Sequence, residues 1–202
     1  MKEKLGLRNA IIWTIAIALL IMFFASFGAS ARMRFSMEGD YFDVTFNNAI
    51  WGCKSAVAYS GGVPMAQILR KSVGSIVGII AVILLFLASG GLVLSTLLVK
   101  DEKLAKVLII ACGGVILVAG ILLFFVPQVA WRVMQQIMRD EGIEVDIATL
   151  KQTYAGAKLS SGYGIGGGIF AILFAGGVIA SQLFVPDIKF IKSARKEEPK
   201  AE

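Results

Sequence analysis

The chain contains no histidine. That removes the side chain most often used as a general base near neutral pH, and every imidazole metal ligand with it. Cysteine is scarce. Cys53 falls in a polar stretch and Cys112 inside an apolar run, so the two are not expected to pair, and no disulfide framework marks the redox compartment. Asn-x-Ser/Thr sequons are missing as well. The most informative absence is charge: residues 9–31, 72–99, 107–131 and 159–186 hold no Asp, Glu, Lys or Arg. Ionisable residues inside a membrane mark proton and ion paths. Their absence argues against a pump, a secondary transporter or an intramembrane hydrolase, and no cofactor or metal site is expected.

What is present is apolar length. A run of about 20 apolar residues crosses a bilayer core as a helix. Runs 72–99 and 107–131 flank a short charged loop at 100–106, the pattern of a membrane hairpin. Hydrophobic residues make up 57% of the chain and charged ones 17%, with a mean hydropathy of +0.78. Soluble domains carry roughly 25% charged residues. In lipid each backbone N–H and C=O needs a partner within its own segment, so all four runs read as helices. The expected fold is an all-α membrane protein: one four-transmembrane-helix bundle over residues 1–202, with a small extracellular β-hairpin or sheet in its first outer loop. Residues 9–31 also fit a secretory leader, since Ala29-Ser30-Ala31 is an A-x-A cleavage pattern. The apolar core is long for a leader, and the run is read as a span.

The net charge of +6 sits mainly at the ends of the runs. No basic patch interleaved with aromatics accompanies it, so nucleic acid is not an expected partner and the lipid bilayer is. Lys and Arg concentrate in the head, the loop 100–106 and the tail 187–202, with 11 in 31 residues, against 9 in 67 for loops 32–71 and 132–158. The denser side is cytoplasmic. Both termini are therefore expected inside and both long loops outside, in the cell membrane.

The first long loop reads as a hairpin. Residues 33–38 form one strand, Gly39-Asp40 the turn, and 41–46 the other strand, with Phe42, Val44 and Phe46 on one face and Asp43 and Thr45 on the other. A lone hairpin is marginal in water, so it should lean on the bundle or on a partner. Tyr59 to Pro64 reads as a turn region, and residues 65–71 as a helical lead into the second span. Past Trp131 the third helix is expected to continue through Arg139. Gly74 and Gly78 have the small-xxx-small spacing of close helix packing, and Gly164 and Gly168 repeat it in the fourth run. Two rival readings of the glycines fail. A nucleotide loop follows a strand and opens a soluble βαβ unit, whereas Gly164–Gly168 opens an apolar run. A potassium filter follows an apolar pore helix, whereas Ser161-Gly-Tyr-Gly164 follows Lys151 and Lys158. Cys112 reads as a small core residue.

Arg34-Phe-Ser36 after the first run, Trp51-Gly-Cys53, Pro64 through Arg70 before the second run and Gly156 through Tyr163 before the fourth resemble the claudin-like tetraspan proteins, which include claudins and gamma-type channel subunits. The chain lacks that family's Gly-Leu-Trp, has a Trp–Cys gap one residue short and has no second loop cysteine. The resemblance implies a left-handed four-helix bundle capped by a small outer sheet, with lateral or trans partner contacts.

Three functional readings follow. The first is a non-enzymatic protein acting through contacts with other membrane proteins or copies of itself, as an accessory subunit, adhesion protein or scaffold. Its expected contact residues are Phe42, Phe46, Trp51 and Trp131, with Gly74, Gly78, Gly164 and Gly168 packing helices. The second is an oligomeric pore tuned by Asp40, Asp43, Glu144 and Asp146. The third is a headgroup enzyme using Asp140, Glu141, Glu144 or Asp146, which nothing gathers into a pocket.

Overall fold

Buried positions along the second apolar run fall at Gly78, Ala81, Leu85, Ala88, Leu92 and Ser95, in steps of three and four. The third run does the same with Ile109, Gly113, Ile116, Gly120 and Leu123. The fourth follows with Gly164, Gly168, Ala171, Ala175 and Val178. A mean step of 3.5 keeps a seam facing its neighbour when helices wind around one another in the left-handed sense. A computed structural model describes residues 6–37, 40–53, 55–60, 63–68, 74–99 and 101–185. It places these seams at the centre of a four-helix bundle. The long helices are α1 (Leu7–Ala25), α2 (Ile76–Leu97), α3 (Glu102–Leu123) and α6 (Gly167–Leu183). Around the bundle α1 lies beside α2, α2 beside α3, α3 beside α6 and α6 beside α1.

Among the described residues four helical segments are long and apolar enough to cross a membrane: Leu7–Gly28, Ile76–Leu97, Glu102–Asp140 and Gly162–Leu183. A 22-residue helix spans about 33 Å, close to the hydrocarbon thickness of about 30 Å. The boundaries differ from the apolar runs in instructive ways. Asp101 caps α3, its carboxylate accepting from the Lys103 and Leu104 amides, so the helix starts inside the charged loop. At the other end α3 stops at Leu123, and a 3-10 turn at Val126–Gln128 carrying Pro127 separates it from α4 (Val129–Asp140). The expected extension of the third helix is thus present but broken, because proline cannot donate to the preceding turn. Residues 159 and 160 belong to a strand rather than to the fourth span, and Gly162–Gly166 forms a π-helical turn before α6.

Close approach is concentrated between α3 and α6. A Cβ on Gly168 would stand 2.9 Å from the Gly120 carbonyl oxygen, and one on Gly120 would stand 3.1 Å from that of Gly168. A Cβ on Gly164 would lie 2.9 Å from the Leu123 carbonyl. Gly164, in the turn before α6, and Gly168, within it, thus each stand against the backbone of α3. Gly74 does not: it precedes α2, and a Cβ there would collide with the Ile50 carbonyl of the loop below the sheet. Gly78 lies in α2, but its nearest neighbours are Ser75 and Val126, so it faces the turn after α3 rather than a long helix.

The second half of the fold is an antiparallel five-stranded sheet in the order β4-β3-β2-β1-β5. Its strands are β1 (Ala31–Met37), β2 (Asp40–Asn47), β3 (Ser55–Ser60), β4 (Val63–Ile68) and β5 (Lys158–Ser160). The expected hairpin is β1–β2, with Phe35 opposite Phe42 and Met37 opposite Asp40. Residues 65–68, expected as a helical lead, are instead the edge strand β4. Edge strands tolerate a proline such as Pro64. Glu38, Gly39, Lys100, residues 69–73, the basic head at 1–5 and the tail 187–202 lie outside the described residues.

The sheet does not stand alone. Its inner face, with Met33, Phe35, Val44 and Phe46, packs on Val129, Ala130, Trp131 and Val133 of α4 and on Leu150 of α5 (Ile147–Thr153). The cap thus has its own core, built from the first and second long connections together. α5 is opened by Asp146, whose carboxylate accepts from the Thr149 amide at 2.6 Å. Its pKa is lowered by its hydrogen bonds from Thr149, the side chain first and then the backbone. That cap is fully formed above the ordinary carboxylate range and is lost as acid protonates it.

Gly168→Val should lower stability by about 1–3 kcal/mol, the usual cost of overpacking, whereas Gly176→Ala, with open space around it, should be neutral or mildly stabilising. Reversible unfolding in mixed detergent micelles reads both.

Candidate interaction surface

One short loop fixes the sheet on the bundle. Asn48 takes a positive φ of 57° and Gly52 one of 132°, which folds residues 48–52 back on themselves. The Ala49 amide donates to the Ala29 carbonyl at 2.8 Å, and the Ser75 amide donates to the Ala49 carbonyl at 3.1 Å. The end of the first helical segment, the β2–β3 connection and the start of α2 are thereby tied through main chain. Ile50 is fully buried in the bundle core and Ala49 in the cap core.

Trp51 locks that loop. Its indole Nε1–H donates to Ser26 Oγ at 2.7 Å, and Ser26 Oγ donates to the Phe23 carbonyl at 2.6 Å. Its ring stacks on Phe27 with centroids 5.0 Å apart and meets Phe23 edge-on. The Tyr163 hydroxyl donates to the Met22 carbonyl at 2.7 Å, and Ser161 Oγ donates to the Ser30 carbonyl at 2.7 Å while capping Gly164. The Ser161-Gly-Tyr-Gly164 stretch is therefore a joint between α6 and the end of α1.

The four aromatic residues expected to meet a partner occupy different environments. Phe46 is 0% exposed and Trp131 7% exposed, both inside the cap core. Neither offers a contact at the surface of the folded chain, because alternation along β2 and the apolar stripe of α4 turn them toward each other's layer. Phe42 is half-buried and stacks on Phe35 at 5.6 Å. Trp51 is half-buried and committed to Ser26 and Phe27. The acidic residues do not converge either. Asp43 pairs with Arg34, Asp146 caps α5, and Asp40 and Glu144 are exposed elsewhere. Among the described residues no group of three or more potential metal ligands gathers.

The exposed side of the sheet is where polar chemistry collects. Pairing register places Lys158, Arg34, Asp43 and Tyr59 in one row across β5, β1, β2 and β3. Ser160, Arg32 and Thr45 form the next row, and Ser36 lies opposite Tyr41. All of them but Ser160 line a cleft of about 700 Å³. Arg34 Nη2 bonds Asp43 Oδ2 at 2.9 Å, while Asp43 Oδ1 is shielded from solvent with no hydrogen-bond partner. The positions alternate with the buried Met33, Phe35, Val44 and Phe46, so the same period of two that marked the apolar face also marked this one.

The bundle interior, by contrast, is filled. Ile12, Leu19, Leu85, Leu92, Ile116 and Leu123 are all fully buried. Cys112 is partly buried against Gly91, and neither cysteine is in a disulfide.

No protein-family model matches the chain, and no curated protein matches it significantly.

Trp51→Phe keeps the ring contacts but removes the bond to Ser26. Stability should fall by roughly 0.5–1.5 kcal/mol, the net worth of one hydrogen bond, measured by the same micellar unfolding.

Proposed function

We propose that the chain is an integral membrane protein of the cell surface, crossing the bilayer four times with both termini cytoplasmic and the sheet cap outside. It works without catalysis, as an accessory, adhesion or scaffold subunit that contacts other membrane proteins or copies of itself. The observation that carries this reading is that the long helices are apolar outside as well as inside. Ile21 and Phe24 on α1, Leu87 on α2, Val118 on α3 and Phe170 and Leu173 on α6 are each about half or more exposed. A helix that is apolar all round belongs in a protein core or in lipid, and here no protein covers the outer faces of the described residues. The ends of the bundle support the orientation. Arg8 at the start of α1 pairs with Glu102 at the start of α3 at 3.5 Å, at the end away from the sheet. Along the sequence, Lys and Arg are denser before α1, between α2 and α3 and after α6 than in the two long connections, and the positive-inside tendency puts the denser side in the cytoplasm. The bundle with a sheet cap also accords with the claudin-like resemblance of the sequence, and the family assignment stays part of this proposal.

Topology is testable with a membrane-impermeant maleimide on intact cells, in a background where Cys53 and Cys112 are serine. Thr45→Cys on the sheet should label from outside, and Lys103→Cys only after permeabilisation. The converse pattern, or a chain that stays dispersed without detergent, would sink the reading. Cross-linking with mass spectrometry in the native membrane should then return repeated neighbours; recovery of a lone chain would count against a contact role.

A further inference from the structure

The sheet's exposed cleft is charged in a way the fold itself does not balance. Arg34 and Lys158 stand directly opposite each other on paired strands, an arrangement of like charges that weakens a sheet. Arg32 lies two residues along the same strand, on the same face. Asp43 is the one acid among the residues lining the cleft, and it is committed to Arg34. Two net positive charges are left over a cleft whose remaining polar groups, Ser36, Tyr41, Thr45 and Tyr59, all carry hydroxyl donors. Tyr41 lines the cleft and is 71% exposed, which leaves its ring open to an arriving chain.

We propose that this cleft binds an extended, acidic segment of a partner polypeptide. The spacing favours a peptide. Arg32 and Arg34 are separated by two strand residues, about 6.6–6.8 Å, and every second side chain of an extended peptide repeats at the same interval. Glutamate or aspartate at alternate positions of a chain lying along β1 would meet Arg32 and Arg34 in turn, with Lys158 beside the second. Strand β5 pairs with β1 only from Arg32 to Arg34. Beyond that pairing Tyr154 packs on Phe35 at 4.8 Å, so the segment lies over the face of the sheet and is held through side chains rather than added at its edge. The inference rests on the reading of the cap as a contact surface and names the chemistry of what it contacts.

The test uses the full chain in nanodiscs and a fluorescent peptide of alternating glutamate and serine, followed by anisotropy, with the glutamine analogue as its neutral twin. The glutamate peptide should bind and weaken as salt rises. Arg32→Glu with Lys158→Glu should lower affinity by roughly tenfold or more, the loss expected when desolvated charge pairs become repulsive. Arg132→Glu, on α4 outside the cleft, should leave binding unchanged, and Asp43→Asn should tighten it by removing the competing acid. Size-exclusion profiles and tryptophan emission establish that each variant is folded. Equal binding of the two peptides would overturn the proposal, as would binding insensitive to the Arg32/Lys158 change or lost with Arg132. A sulfated polysaccharide that binds through Arg32 and Lys158 while the peptide does not would also overturn it, assigning the cleft to glycans. Failure of the peptide to bind while cross-linking still finds neighbours would remove this inference and leave the contact role standing. Failure of the topology experiment would remove the contact role itself.

Discussion

Two main-chain hydrogen bonds, from Ala49 to Ala29 and from Ser75 to Ala49, hold together what are otherwise two separate cores. The bundle is packed by Leu, Ile and Gly on a 3.5-residue repeat. The cap is packed by a sheet against a short amphipathic helix. Each could be arranged in many ways relative to the other, because few side chains belong to both. The loop 48–52 removes that freedom. Its carbonyls and amides are buried at the junction, and buried backbone groups must be paired. Pairing them with the end of the first helical segment and the start of α2 fixes where β1, β2 and β3 leave the bundle. Trp51 reinforces the arrangement from the side, through Ser26 and Phe27.

The polar joints follow one economy. Ser89 Oγ donates to the Ala16 carbonyl from α2, Tyr163 to Met22 from the turn before α6, and Ser161 to Ser30 beside it. All three donate to carbonyls of the first helical segment or the connection after it. A main-chain carbonyl has a second lone pair to offer even when its helical bond is made, so a hydroxyl can join two helices without leaving a helix bond broken. The α3–α6 contact needs no such joint, since Gly120 and Gly168 bring the backbones themselves together.

How much of this was legible in the sequence depended on the length of each signal. The four apolar runs were unmistakable, and so was the alternation of Phe42, Val44 and Phe46 against Asp43 and Thr45. β3 was not, since Ser-Ala-Val-Ala-Tyr-Ser has one β-branched residue and no clear alternation. β4 was hidden by Pro64, which reads as a turn until the strand is known to be an edge. β5 has three residues, too few to show a period, and it merges into the apolar run behind it. Phe46 and Trp131 were read as contacts for a partner; each lies on an apolar face, yet nothing local said that the two faces meet each other. An apolar stripe states that something covers it, and only the tertiary fold states what. The charged cleft was half visible. Arg32, Arg34 and Asp43 alternate with core residues in plain view, but Lys158 joins them only through a pairing across more than a hundred residues of chain.

That last pairing sets an order of events. Strands β1 to β4 are synthesised before α2 emerges, yet the strand that completes their sheet is residues 158–160, and the helices that cover its inner face are α4 and α5. Until then Met33, Phe35 and Phe46 have no lid. Contacts so distant along the chain are slow to close. A chain halted anywhere before residue 129 would present a bare apolar sheet on a half-built bundle, a species suited to recognition by chaperones and proteases. The second long connection is thus the step that turns a sticky intermediate into a finished surface.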